Sequence, residues 1–306
     1  MALDTYSILV GKVLLRCPAA GQLLARDWIN NAFRRVCERT DWSWLHKRGQ
    51  FLAPTAYSTG TVSVTHNSTA VEGTGTAFVA AMVGRQFRIA GSPIYTIATV
   101  TDADSIVLDD EYGGDTDATA TYQIFKAYYA TPTDFHSFDE VWDAANAQIL
   151  STTATQAELD RSDPDRSNQG DPSCLAFLDY YVPTGETVAV PRYELWPHPI
   201  SQAVYPYRYE MRATDLEDSG ATLPRYLRGD ILVEGALEMA ALWPGPSSDK
   251  PNPYFNRDLA KHHRAEFTRQ LLELEVQDQE VSVRNLNYSG EAPYPGGSAW
   301  NQSHDV

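Results

Sequence analysis

Apolar residues recur at helical spacing in four stretches of the chain. Leu3–Cys17 carries Ile8, Leu9, Val13 and Leu14 on one stripe, ended by Pro18. From Gly21 to Thr40, Leu24, Trp28, Ala32 and Val36 fall four residues apart, flanked by Ile29 and Phe33. The third stretch opens at Leu223-Pro224 and continues through Leu227, Ile231, Leu232, Ala236 and Ala240 to Trp243, where Pro244-Gly245-Pro246 stops it. The last starts at Asn256, a good N-cap, and sets Leu259, Phe267, Leu271 and Leu274 on one face. Each is an amphipathic helix by pattern, and the third, rich in Ala, Leu, Glu and Met, is one by propensity too.

Between about Gln50 and Ala130 the period drops to two. Gly60–Thr65 alternates strictly, and returns are expected at Thr69–Glu72, Arg85–Ile89, Ile94–Val100, Ser105–Leu108 and Thr121–Tyr128. Turns fall at His66–Ser68, Gly73–Gly75, Asp102–Asp104 and Gly113-Gly114. Short strands at this spacing predict a small antiparallel sandwich or barrel inserted between helical regions.

Beyond it the pattern is mixed. Phe135–Leu150, behind a Thr131–Asp134 cap, reads as a moderate helix or mixed segment around Val141, Trp142 and Ala145. Gln156–Pro172, full of Asp, Arg, Ser and Pro, reads as a mobile surface loop. A strand pair is expected at Ser173–Tyr181 and Glu186–Val190. Tyr193 and Leu195, then Val204, Tyr205, Tyr207 and Tyr209 after a turn, predict an antiparallel hairpin with one covered face. An acidic loop (Asp215, Glu217, Asp218, Ser219, Gly220) follows.

The order hairpin, acidic loop, Leu223-Pro-x-x-Leu227 and alanine-rich helix resembles the tail-proximal adaptor proteins of tailed bacteriophages, also called head-completion or connector proteins. The segment ARDWINNAFRRVCERTDWSW at Ala25–Trp44 is similar to that family as well. The resemblance implies an α+β chain. Its parts are a helical-bundle body with a β-hairpin (1–49 and 131–284), an inserted β-rich domain (50–130) and an extended C-terminal docking arm (285–306). Adaptors of the smallest kind are little more than helices with an extended tail, so the insertion points to the larger type. The resemblance further implies a structural virion protein, made in the bacterial host cytoplasm. It would form a twelvefold ring beneath the portal protein ring, contact tail or neck proteins, and continue the DNA channel with passive contact to translocating DNA.

Charge reads first as a plain acidic solvated surface, and is compatible with a channel that DNA slides past. The 306 residues carry 40 acidic and 24 basic side chains, a formal net charge of −16. A protein that grips DNA through its phosphates needs the opposite sign. No apolar run is long enough to predict a membrane span or a cleavable signal, which sets synthesis in the cytosol. Cys17, Cys37 and Cys174 show neither disulfide nor zinc spacing and read as buried thiols.

Catalytic and cofactor signatures are missing: there is no phosphate-binding glycine loop, no H-E-x-x-H and no nucleophile elbow, so neither an enzyme nor a cofactor is expected. Adjacent His262 and His263 point about 100° apart on a helix and do not share a metal face. Asp102/Asp104 and Asp109/Asp110/Glu111 lack the spacing of a calcium loop and read as turn residues.

Two groups stand out as partner-binding candidates. Arg34, Arg35 and Arg39 decorate the outer side of the second helix, for an acidic neighbour or for internal ion pairs. Tyr288, Tyr294 and Trp300 are spaced along a Gly/Pro/Ser-rich tail, as ring anchors on a docking arm are. The alternatives are a carbohydrate- or receptor-binding β module associated with a fibre, or a cell-wall hydrolase using two carboxylates not adjacent in sequence.

Overall fold

The computed structural model describes residues 5–183, 185–217, 223–224 and 227–289, with 280–289 as backbone only. The chain is α+β. It opens with α1 (Tyr6–Arg16) and α2 (Gly21–Cys37), followed by strands β1 (His46–Ala53), β2 (Thr61–Val64), β3 (Ala70–Thr74), β4 (Gln86–Ile89), β5 (Tyr95–Val100) and β6 (Ser105–Leu108). Next come β7 (Asp117–Ala120), β8 (Tyr122–Phe125), β9 (Tyr128–Ala130), β10 (Phe135–Asp143), β11 (Gln148–Ile149) and β12 (Ser151–Ala154). Helix α3 (Gln156–Ser162), β13 (Cys174–Tyr181), β14 (Val190–Trp196), β15 (Ala203–Met211), α4 (Gly229–Leu242) and α5 (Arg257–Ser289) complete it.

Two units divide this order: Met1–His46 with Ala213–Val306, and Lys47–Arg212. Residues 131–212, grouped with the helices by sequence pattern, therefore belong with the strands. The β-rich region runs on to Arg212 and does not end at 130.

In the helical unit, α4 packs against α1, α2 and α5. Ile231, Leu232, Leu237, Ala236 and Ala240 are buried around its circumference, as a central helix requires. From α2 come Trp28, Ile29, Ala32, Phe33 and Val36; from α5, Phe267, Leu271 and Leu274. Trp42 is fully covered, stacks on Trp44 at 4.4 Å and donates its indole N–H to the Val36 carbonyl at 2.6 Å. That bond fixes the exit from α2. Asn256 caps α5 by accepting from the Asp258 and Leu259 N–H groups. Asn252 closes α4: its amide donates to the Ala240 and Trp243 carbonyls, both at 2.9 Å. Helix α5 runs on to Ser289, so residues 285–289, expected as extended arm, are helical.

The strand unit holds three sheets. The largest has the order β7-β2-β3-β6-β5-β4-β8. Its two end strands, β7 and β8, are separated in the chain by Thr121 alone, so the sheet curls nearly into a barrel. Val62, Val64, Val71, Phe87, Ile97, Ile106, Leu108 and Ile124 are buried in its interior cluster. These are the alternating positions that predicted the strands.

The other two sheets run β1-β15-β10-β11 and β12-β13-β14-β9. One core joins them, built on Phe51, Tyr129, Val141, Leu175, Leu195, Tyr205, Tyr207 and Tyr209. Two expectations change here. First, β14 and β15 are not a hairpin: β14 pairs with β13 and β9, whereas β15 pairs with β10. Tyr205, Tyr207 and Tyr209 nonetheless share the covered face. Second, Phe135–Leu150 is not helical but forms β10 and β11. Register shifts near Phe135/Ser137 and Phe138/Glu140 break the alternation that would have marked it as strand.

Candidate functional site

In the helical unit the basic face of α2 is engaged internally. Arg34 makes a two-pronged bond to Asp215, at 2.9 and 3.2 Å. Arg35 meets Glu238 of α4 at 2.9 Å and lies over the Phe267 ring at 4.8 Å. Arg39 meets Glu275 of α5 at 2.5 Å. Asn30 clamps the acidic loop as well, accepting from the Leu216 N–H and donating to its carbonyl. The three arginines thus tie α2 to the loop, to α4 and to α5. Their charge is met within the unit, and Asp215 of the acidic loop is one of the groups that meet it.

Of the ring anchors expected in the tail, Tyr288 falls within the backbone of α5, and Tyr294 and Trp300 lie outside the described residues.

The unit also leaves several large apolar side chains exposed, Leu242 and Phe255 among them. On α1, Ile8 and Leu15 are exposed seven residues apart, hence on one face, and Leu15 is 85% exposed. Leu23, at the start of α2, is 83% exposed. On α5, Leu272 and Val276 form a second strip at four-residue spacing. These are two separate apolar strips on one small unit. Ile8 was expected on the core-facing stripe of α1, and the others were not singled out, because pattern alone does not tell a core-facing side chain from an outward one.

A chain of hydrogen bonds passes through the same unit. Glu234 Oε2 lies 2.7 Å from His263 Nδ1, and Tyr254 Oη lies 2.7 Å from His263 Nε2. Burial raises the Tyr254 phenol above its usual value. His263 is buried, and this bonding straps the turn before α5 to α4. The His262 and His263 rings lie 5.8 Å apart at 59° to one another. Among the described residues no group of three or more His, Cys, Asp or Glu side chains could hold a metal ion. Asp109 Oδ1 instead accepts from the Thr96 and Asp110 N–H groups, and Asp102 from that of Asp104.

The densest charge cluster lies in the strand unit, around a loop expected to be mobile. Helix α3 is started by a capping box between Thr155 and Glu158. Asp163 then accepts from the Ser167 and Asn168 N–H groups and from the Trp196 indole, at 2.8 to 2.9 Å. Burial works to raise its carboxyl, but these bonds win and hold it below the usual carboxylate range. Arg166, at φ 50°, donates to Glu194 at 2.9 Å, to Asp160 at 2.6 Å and to the Gln156 amide oxygen at 2.9 Å. Glu194 Oε1 lies 2.9 Å from His198 Nε2.

Burial pushes the Glu194 carboxyl up; the His198 bond and the Arg166 charge outweigh it, so it too is held low. This is a carboxylate–histidine–arginine set, and it was missed because Arg166 and Glu194 stand 28 residues apart. A cleft of about 630 Å³ opens beside it, past Arg88, Ser92, Tyr128 and Asp160. His198 itself is fully covered, with Phe125 stacked on it at 5.0 Å, and does not reach that cleft's solvent. Chemically the set locks a loop. A proton shuttle would need an open face on the imidazole.

The three cysteines are free and buried, and burial raises each thiol, Cys37 to about 12. They are poor nucleophiles in these positions. Among the described residues no single helix is long and apolar enough to cross a membrane. No known protein family matches the sequence, and no curated protein matches it either.

Proposed function

We propose that this chain is a structural protein of a tailed-bacteriophage virion. It would form a twelvefold ring beneath the portal that connects the capsid to the tail and continues the DNA channel. In this reading the helices are the bundle body of an adaptor, the strand unit decorates the neck or meets tail proteins, and the segment after α5 docks on the portal or a neighbour.

The observation that carries the reading is the two exposed apolar pairs, Ile8/Leu15 on α1 and Leu272/Val276 on α5. A ring needs two different complementary faces on each subunit, because a head-to-tail contact closes only when one face meets the other. Large side chains left in water on a folded unit are what such a contact would cover. The surplus of carboxylates favours a lumen that DNA phosphates slide through without adhering.

The test is light scattering on a sizing column, with the purified chain alone and then mixed with portal rings of the same virus. Joining the portal as a full ring is the expected result. Failure to associate at any salt concentration overturns it.

A second reading has one feature of its own. Phe177 and Tyr180 stand exposed on β13 with ring centres 5.4 Å apart, and exposed aromatic pairs can stack on sugar rings. A glycan-array screen with the full chain separates the two readings.

A further inference from the structure

A second cleft in the strand unit, of about 460 Å³, has the opposite character from the rest of this acidic protein. It is bordered by Leu52, Val83 and Val204, all exposed and apolar, and it contains Arg85 and Lys126. The two cations sit side by side for a topological reason. Strands β4 and β8 pair antiparallel with Gln86 opposite Phe125 and Phe87 opposite Ile124. Continuing that register by one residue sets Arg85 opposite Lys126. Like charges directly opposed across two strands are destabilising.

Among the described residues no carboxylate forms an ion pair with Arg85 or Lys126, although other basic groups of the same unit, Lys47, Arg166 and Arg192, each have one. Burial lowers the pKa of both, and Arg85 lowers that of Lys126 further. The Lys126 ammonium rests on the Tyr129 ring, 4.7 Å from its centre, and the Tyr129 hydroxyl donates to the Lys126 carbonyl.

The juxtaposition is also built rigidly. Gln86, wholly buried, donates from its amide to the Gly84 carbonyl at 3.2 Å and accepts from the Ala127 N–H at 2.8 Å. One side chain therefore pins the segment carrying Arg85 to the segment carrying Lys126. A repulsive pair held in place by a buried clamp is a preorganised receptor for negative charge, since an incoming anion removes a cost already present in the fold.

We propose that the Arg85–Lys126 cleft is a docking site for an acidic peptide segment of a partner protein, a carboxylate flanked by apolar side chains. The two cations take the carboxylate. Leu52, Val83 and Val204 cover its neighbours. The proposal does not depend on ring formation, and it adds a charge-complementary contact on the unit that carries none of the apolar strips.

The experiment is fluorescence anisotropy of a labelled Leu-Glu-Leu-Glu-Leu peptide titrated with the full chain at low and moderate salt. The chain's net charge of −16 disfavours non-specific capture of an acidic peptide, and loss of binding in the cleft variants assigns the site. Expected are binding about tenfold or more tighter than that of Leu-Gln-Leu-Gln-Leu, and a loss of similar size in Arg85→Gln and in Lys126→Gln. Arg85→Gln should melt no lower than the parent, because it removes a repulsion; Lys126→Gln also gives up the contact with the Tyr129 ring, and its melt checks that it stays folded. Absence of saturable binding at millimolar peptide, or equal binding by the variants, overturns the site. Displacement by inorganic phosphate at the peptide's own affinity overturns the peptide in favour of a small anion. Self-association of the parent that both variants abolish overturns the partner in favour of a second copy.

Discussion

A Cβ built on Gly235 of α4 would stand 2.8 Å from the Cβ of Ala32 on α2, closer than two such carbons approach. The Phe267 ring of α5 closes the same spot at 3.0 Å. Gly235 is thus the point where three helices converge, and its missing side chain sets how near they come. Exposed glycines inside helices are normally worth replacing, since alanine is favoured by about 1 kcal/mol. Here Gly235→Ala is expected to destabilise by about 1–3 kcal/mol, the usual cost of overfilling a packed core. Urea unfolding followed by circular dichroism checks it, and a gain in stability would contradict the packing at that crossing.

Glu194 makes the strand unit sensitive to acid. Its carboxyl is held below its usual 4.5, and that of Asp163 below 3.8. A carboxylate whose folded-state pKa is depressed contributes stability that is whole above the unfolded value and is lost as pH falls through the folded one. The melting temperature should therefore be level above about pH 5 and fall steeply below about pH 4. Glu194→Gln leaves Arg166 with Asp160 as its remaining anion and His198 with none, and should cost about 3 kcal/mol at neutral pH. It should also flatten the acid limb. A variant as stable as the parent at pH 7 would show that the cluster does not hold the loop.

The helices were legible in the chain because their periodicity is intact. Leu232, Ile29 and Leu271 each sit where a 3.6-residue repeat puts a buried side chain. The barrel-like sheet was legible for the parallel reason, with Val62 and Val64 alternating inward. The pattern failed where β10 bulges, so that Phe135, Val141 and Asp143 are its buried positions and the rest vary. That the α2 arginines pair internally was one of two readings open from sequence, but their partners were illegible. Arg35 and Glu238 are 203 residues apart, Arg39 and Glu275 are 236 apart, and no local rule ties them. The loop around Asp163 and Arg166 looked mobile by composition alone. Its order comes from polar side chains turned inward on their own backbone.

Exposed and buried leucines of the helical unit should separate assembly from folding. Leu232→Asp puts a charge in a fully covered position and should abolish the cooperative melt. Leu15→Asp and Leu272→Asp change exposed positions and should shift stability by no more than about 0.5 kcal/mol. If the two strips are the faces of a ring, each of these surface variants should nonetheless fail to assemble on portal rings, as read by light scattering. Wild-type assembly by both would remove the strips from the interface.

Truncation after Ser289 tests the C-terminal segment in the same way. The last α5 side chains seen in the buried core include Leu271, Leu274 and Asp278. Asp278 accepts from the Ser43 N–H at 3.0 Å and from its hydroxyl at 2.5 Å, so the helix is already fastened upstream of the cut. The shortened protein should melt within about 0.5 kcal/mol of the parent and lose portal association. A lost cooperative melt would mean that the segment belongs to the body and is not a docking arm.

Where the insertion is cut decides whether the helical unit survives alone. Removing 50–130, the boundaries that sequence pattern gives, deletes β9 and half of β1. It strips β15 of β1 and β14 of β9, and it removes Phe51 and Tyr129 from the core shared by those sheets. The remaining strands, 135–211, would carry exposed edges and an opened core, so this deletion should give an aggregating protein. Replacing Lys47–Arg212 with a short glycine-serine linker removes the strand unit whole. The helices then keep α1, α2, α4 and α5 with their arginine pairs, and a cooperative, largely helical melt is expected. Circular dichroism and sizing chromatography of the two deletions side by side give the answer. Folding by the first and collapse of the second would place the boundary at 130 after all.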